Sequence, residues 1–186
     1  MSVKETVISL LQSTNRPGMD KLINHMEEKG FFEGPCSAGN HLACKGGLAE
    51  HSLNVYQAAN RTVFVMYPEM NEQSLIIACL LHDLGKMGQF DKQGYVENIL
   101  ASGKQSATKP YAQNKELLPI DHEIRSIQIA SKFIDLTEEE SFAILYHNGL
   151  YVPLGRTLNG NETPLQMILH FADMWCSRVV EREGEE

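Results

Sequence analysis

Residues Leu75-Ile76-Ile77-Ala78-Cys79-Leu80-Leu81 form an unbroken apolar run that leads directly into His82-Asp83-Leu84-Gly85-Lys86. A helix that is apolar on every side has no face to give to water, so it belongs in the middle of a helical bundle. Its polar end then carries an imidazole and a carboxylate into the interior, where an unpartnered polar group costs roughly 2–7 kcal/mol. The segment therefore asks for amphipathic helices around it and for something that satisfies His82 and Asp83.

The rest of the chain supplies the helices. Ser2 with Glu5 makes a capping box for a first helix that ends before the turn Asn15-Arg16-Pro17-Gly18. A second, over 19–29, places Met19, Leu22, Ile23 and Met26 on one face. The Gly-rich stretch 31–47 reads as a loop. A third helix over 47–67 repeats Leu48, His51, Val55, Ala58, Ala59, Thr62 and Val63 at threes and fours until Pro68 closes it. Residues 87–119 are weakly patterned, and a stretch this long in a small domain reads as a lid or binding loop. Asp121 is placed to cap a fifth helix carrying His122, Ser126, Ile129, Ala130 and Phe133, and Thr137 with Glu140 opens a sixth that runs to His147 before Gly149. Thr163-Pro164-Leu165-Gln166 starts the last helix, with Leu165, Ile168, Leu169, Ala172, Asp173 and Cys176 on its apolar side, fraying over 181–186. The expectation is an all-α, single-domain bundle over 1–186, with its core at about 47–177 and a loop or lid at about 87–120.

Hydrophobic residues make up 42% and charged residues 22% of the 186, which fits a globular chain. A net charge of −8 argues against long nucleic acid or an anionic membrane as the partner, since both are held by clustered Lys and Arg, and leaves room for a small phosphorylated substrate such as a nucleotide. Cys36, Cys44, Cys79 and Cys176 form no C-x-x-C pair and read as free thiols of a reducing cytoplasm. Lys4 and Glu5 interrupt the first apolar stretch, and neither a signal peptide nor a membrane span is visible.

Four expected helices each present a His or Asp on the apolar stripe, and one presents the adjacent pair His82-Asp83. A lone histidine there is ordinarily a satisfied core residue. Several imidazoles and two carboxylates together need partners, and a divalent cation satisfies them at once. Nitrogen and oxygen donors suit Fe, Mn, Co, Ni or Zn, and the lack of a nearby Cys argues against a closed structural zinc site. Adjacent helical residues point about 100° apart, so His82 and Asp83 share one region only where the helix ends, for which Gly85 is placed. Asp83, with two oxygens, can bridge two ions.

Gly47-Leu48-Ala49-Glu50-His51-Ser52-Leu53-Asn54, Leu81-His82-Asp83-Leu84-Gly85-Lys86 and the late Asp173 resemble the H…HD…D signature of the HD superfamily of metal-dependent phosphohydrolases. His122 in Asp121-His122-Glu123 and His147 in Tyr146-His147-Asn148-Gly149 are similar to the extra pair of its binuclear branches. The resemblance spans 47–173 and implies two divalent transition-metal ions, the first on His51, His82, Asp83 and Asp173, the second on His122 and His147 with Asp83 bridging. A metal-bridging hydroxide would be the nucleophile, and Lys86 would grip a substrate phosphate. The GYP signature of cyclic-dinucleotide phosphodiesterases is missing, with Asn148-Gly149-Leu150-Tyr151-Val152-Pro153 as a faint echo. Exoribonuclease relatives carry a further nucleic-acid-binding domain. Relatives with the same ligand order include mixed-valent di-iron oxygenases, and a non-catalytic nucleotide sensor is a third reading; oligomerisation is left open. Arg156 is a candidate anion contact, with Lys104 and Lys109 behind it; His170 is a candidate support for the site, His41 and Lys45 are candidates for its entrance, and Glu50 is a candidate for proton transfer or for orienting water.

Overall fold

In the computed structural model, which describes residues 1–182, the chain is mostly helical. Helices α1 (Val3–Ser13) and α2 (Met19–Glu28) lead through a loop to α3 (Gly47–Met66) and α4 (Glu72–Leu81). After two small strand pairs come α5 (His122–Ala130), α6 (Glu138–Leu145) and α7 (Pro164–Trp175), which runs into a π-helical stretch, Cys176–Val180. The caps work as their chemistry requires. Both capping boxes form, Ser2 with Glu5 and Thr137 with Glu140, and the Thr163 side chain accepts from Gln166 N–H above Pro164. Asp121 is the exception: it occupies the N-cap position of α5, but its side chain makes no capping bond.

The all-apolar segment lies at the centre. Every residue from Leu75 to Gly85 is buried, and α4 packs against α1, α3, α6 and α7. Regular helix stops earlier than expected, at Leu81 with His82 as its cap, and a 3-10 turn, Leu84–Met87, follows. Gly85 serves a close approach rather than an unusual φ. A Cβ there would stand 2.2 Å from the His122 carbonyl oxygen and 2.9 Å from Ser126 N, so only glycine lets α5 press onto this turn.

The stretch after the turn is not structureless. Strand β1 (Gly88–Gln89) pairs antiparallel with β2 (Lys92–Gln93), Gly88 opposite Gln93, and β3 (Tyr95–Glu97) pairs with β4 (Tyr111–Gln113), Tyr95 opposite Gln113. Strands of two or three residues are too short to show alternation. The first turn places Phe90 and Asp91 at φ 56° and 58°, positions usually signalled by Asn or Gly, so the hairpin had no sequence marker. At the other end, the expected fray over 181–186 is corrected at Glu181, which is buried; residues 183–186 lie outside the described ones. Among the described residues no helix is long and apolar enough to cross a membrane.

Candidate metal centre

Five segments bring the six expected residues to one place: His51 on α3, His82 and Asp83 at the end of α4, His122 at the start of α5, His147 just past α6, and Asp173 on α7. His51, His82, Asp83 and His147 are each at most 1% exposed. Potential ligand atoms form overlapping trios, each within 4.8 Å: His51, His82 and Asp83; His82, His147 and Asp173; Asp83, His122 and His147. His51 Nε2 stands 3.2 Å from Asp173 Oδ1 and 3.6 Å from Asp83 Oδ2, while His122 Nε2 stands 3.1 Å from Asp83 Oδ1.

The backbone aims these rings. Carbonyls in the last turn of a helix lack an intrahelical partner. His82 Nδ1 donates to one of them, Cys79 O, at 2.9 Å, and His147 Nδ1 donates to Ile144 O at 2.7 Å. The same three-residue back-reach thus turns both Nε2 atoms inward. His51 Nδ1 instead meets the Glu181 carboxylate at 2.8 Å, and Asn54 Nδ2 donates to that carboxylate at 3.0 Å. His170 Nδ1 donates to His147 O at 2.6 Å, steadying the segment that carries His147. Ser126 Oγ ties α5 in place, donating to His82 O at 2.7 Å and accepting from Gly85 N–H at 2.8 Å.

Among the described residues, four buried side-chain polar atoms have no hydrogen-bond partner, and three of them, His51 Nε2, His82 Nε2 and Asp83 Oδ1, converge here. Leaving one such group unmet costs about 1–3 kcal/mol. Imidazole nitrogens and carboxylate oxygens converging on one point are the donor set of a divalent cation, and the cluster can hold one.

Electrostatics follow from the same geometry. Burial opposes the charge on Asp83, but the Lys86 ammonium, with His82 and His122, outweighs it and holds the carboxyl well below the usual range. Lys86 Nζ lies 2.6 Å from Asp83 Oδ2. Burial, then the charge of His82, pushes His147 down to about 3, so its ring stays neutral. Burial also works against a charge on His51, yet Cys36, Asp173 and Glu181 raise it well above the ordinary imidazole value. A proton therefore competes with a cation for His51.

The remaining candidates scatter. Glu50 faces solvent, Lys45 pairs with Glu33 at 2.8 Å, and Lys104, Lys109 and Arg156 are exposed, with no hydrogen bond or ion pair from Arg156 to the cluster. Other residues enter unannounced. Cys36 is fully buried with Sγ 3.9 Å from Asp83 Oδ2, which corrects the expectation that no cysteine lies near. Burial alone would push this thiol up, but the charges of His51 and Lys86 and the contact with His41 draw it down to about 6. Asn148 Nδ2 lies 3.1 Å from His147 Nε2 and donates to Glu123 Oε1 at 2.6 Å. A cleft of about 910 Å³ beside the cluster is lined by Asn40, His41, Asn148, Arg178, Glu181 and Arg182, and a smaller cavity of about 440 Å³ by Lys86, Tyr95 and His122.

The family model described as the HD domain matches residues 48–174. Curated relatives include the 3'-5' exoribonuclease YhaM of Bacillus velezensis, 29% identical over 86 residues, covering 45% of this chain and 27% of the relative. YhaM of a Geobacillus species is 31% identical over 80 residues, covering 43% and 24%, and that of Bacillus licheniformis 22% identical over 137 residues, covering 66% and 43%. The chain thus spans about a quarter of the length of the first of these relatives. Comparison with solved structures yields no significant match. The relatives are named for an activity on RNA, which overturns the exclusion of long nucleic acid as a partner. The exclusion failed because net charge averages the whole surface, whereas a strand end needs only a few local cations.

Proposed function

The chain belongs to the HD-domain family, and from that membership we propose that it is a metal-dependent phosphohydrolase acting on phosphodiester bonds at the 3′ end of RNA. The observation that carries this reading is the convergence of His51 Nε2, His82 Nε2 and Asp83 Oδ1, buried and without hydrogen bonds, beside a half-buried lysine. In this reading His51, His82, Asp83 and Asp173 would hold one divalent ion, and Asp83, His122 and His147 would hold a second. Such cations would supply an acidified water and charge neutralisation at phosphorus.

The protein side chains do the rest. Lys86, tethered to Asp83 and 17% exposed at its side chain, is placed to meet a phosphate oxygen entering the smaller cavity it lines. Glu181 and the Cys79 and Ile144 carbonyls hold three imidazoles at fixed angles, so the site needs no rearrangement to accept charge. Arg178 and Arg182 line the larger cleft, and among the described residues neither forms an ion pair. Arg178 also lies 4.6 Å over the exposed ring of Tyr151. Cations beside an aromatic face suit a single strand, whose backbone is anionic and whose bases stack. The strand pairs between 88 and 113 act as a lid over this region, with Ala107, Thr108 and Pro110 from the segment joining β3 to β4 forming part of the cleft wall.

The test uses the full chain purified without chelator. Elemental analysis should find bound transition metal, and a 5′-labelled RNA oligonucleotide with manganese should shorten stepwise from its 3′ end. An RNA left intact with manganese, iron, cobalt and zinc in turn would reject the substrate assignment. Failure to cleave bis(p-nitrophenyl) phosphate as well would reject phosphodiester hydrolysis altogether.

A further inference from the structure

The loop between α2 and α3 folds back on itself and delivers two donors to the edge of the cluster. Cys36 N–H donates to Leu42 O at 3.1 Å, closing a ring of seven residues in which Ser37 Oγ donates to His41 O at 2.7 Å and accepts from Asn40 and His41 N–H. Leu42 takes φ 42°, a left-handed conformation costly for a branched side chain, and Gly47 lets the Leu42 carbonyl come within 2.1 Å of where a Cβ would be. The product of this strained closure is a contact between Cys36 Sγ and His41 Nε2 at 3.4 Å.

That pair does not sit alone. Ligand atoms of Cys36, His41 and His51 lie within 4.8 Å of one another, and Cys36 Sγ is 3.9 Å from both Asp83 Oδ2 and Lys86 Nζ. His51, 1% exposed, brings an Nε2 that has no hydrogen-bond partner. A sulfur and an imidazole nitrogen that share one ion stand about 3.4–3.7 Å apart, given bonds near 2.3 and 2.1 Å and roughly tetrahedral angles. The observed 3.4 Å fits that spacing. The other cysteines differ: Cys79 and Cys176 are buried within the apolar core, and Cys44 is exposed.

We propose that Cys36 and His41 are additional ligands of the metal centre, with the Cys36 sulfur binding as thiolate on the His51 side and selecting a thiophilic divalent ion such as zinc, cobalt or iron over manganese or magnesium. The sulfur binds as thiolate, so any proton it still carries leaves to solvent as the ion binds. It also displaces the Lys86 ammonium from the sulfur, freeing it for a substrate phosphate. The inference rests on the reading of the cluster as a metal centre.

Cobalt is the probe. The full chain loaded with Co²⁺ should show a near-ultraviolet thiolate-to-cobalt charge-transfer band, lost in Cys36→Ser and kept in Cys44→Ser. His41→Ala should retain the band with altered position. The preference for zinc over manganese should fall by about tenfold or more in Cys36→Ser. Zinc-edge X-ray absorption on the wild-type chain gives a second reading that needs no variant: one sulfur at about 2.3 Å is expected. Bound cobalt with no such band, or a band that survives Cys36→Ser, overturns this inference and leaves the metal-centre reading intact. A chain that binds neither cobalt nor zinc overturns both.

Discussion

Two buried polar clusters sit in this fold, built on opposite plans. Around Glu140 every oxygen is filled: Oε1 accepts from Arg16 Nη2 at 2.8 Å and Ser74 Oγ at 2.9 Å, and Oε2 from Arg16 Nη1 at 3.1 Å and Thr137 N–H at 2.9 Å. Around Asp83, as fully buried, Oδ1 has no hydrogen bond, and two imidazole nitrogens beside it have none either. The first cluster ties the turn after α1 to α4 and α6 and wants nothing more. The second leaves ligand atoms unmet, a state that either a proton on His51 or a bound cation relieves. Burial alone does not distinguish a structural carboxylate from a functional one; the accounting of its lone pairs does.

The sharpest break of that contrast is Asp83→Ala. Removing the carboxylate on which the whole cluster converges should abolish metal binding and lower hydrolysis by about a thousandfold or more, equivalent to about 4 kcal/mol of transition-state stabilisation. Added metal should raise the melting temperature of the wild-type chain and leave that of the variant unmoved. Full metal occupancy in the variant would place the ion elsewhere. Next in size is His122→Ala. His122 is 30% exposed at its side chain and faces Asp83 Oδ1, so it belongs to the outer part of the cluster. The variant should fold and retain about one ion per chain instead of two, with turnover down about a hundredfold. One ion per chain in wild type and variant alike would make the site mononuclear.

Much of this was legible before the fold was known, and the gaps have physical reasons. The apolar run to Leu81 located the core and carried His82 into it at its polar end, and the rings of His51 and His147 were readable from helical periodicity because each is carried by an element that must bury one side. Both capping boxes followed from two-residue chemistry. Glu181 was not readable, since it lies beyond the last apolar stripe in an acidic tail, and only the π-helical stretch brings it under His51. Cys36 and His41 sit in a loop whose closure depends on a left-handed leucine, a conformation with no sequence signal; their five-residue spacing ahead of His51 was the clue available. The strands between 88 and 113 were too short to leave a pattern. Charge was misread because a total of −8 says nothing about where Arg178 and Arg182 stand.

Glu140→Gln tests the filled cluster. Breaking one side of a buried pair costs about 3 kcal/mol, the lower end of the usual range because the Arg16 side chain keeps 16% of its exposure. Metal content and turnover of the folded variant should match wild type. Burial opposes the Glu140 charge, but its bonds from Arg16, Thr137 and Ser74 prevail and lower its pKa below the ordinary value of 4.5. Its contribution is therefore present above the unfolded-state pKa and disappears as pH falls through the folded one. The stability gap between wild type and variant, measured by urea denaturation, should be constant near neutrality and shrink below about pH 4.5. A gap that widens on acidification would show that Glu140 is protonated in the native state.

The smallest effect falls where the two plans meet, at Glu181. Its carboxylate is hydrogen-bonded like that of Glu140, yet its partner is His51, whose other nitrogen is bare. A carboxylate on the far side of a ligating imidazole fixes the ring and raises its basicity, and losing it typically costs 10–100-fold in metal affinity. Glu181→Gln keeps the shape and an oxygen that can accept from His51 Nδ1, so the loss should lie near tenfold. It should appear as weaker metal affinity, with the melting temperature of the metal-free chain nearly unchanged. Glu181→Ala, which also removes the bond from Asn54, should lose more affinity and some stability. If instead Glu181→Gln lowers the stability of the metal-free chain and leaves affinity intact, Glu181 is a second Glu140, a filled carboxylate that holds the C-terminal stretch to α3 and has no part in tuning His51.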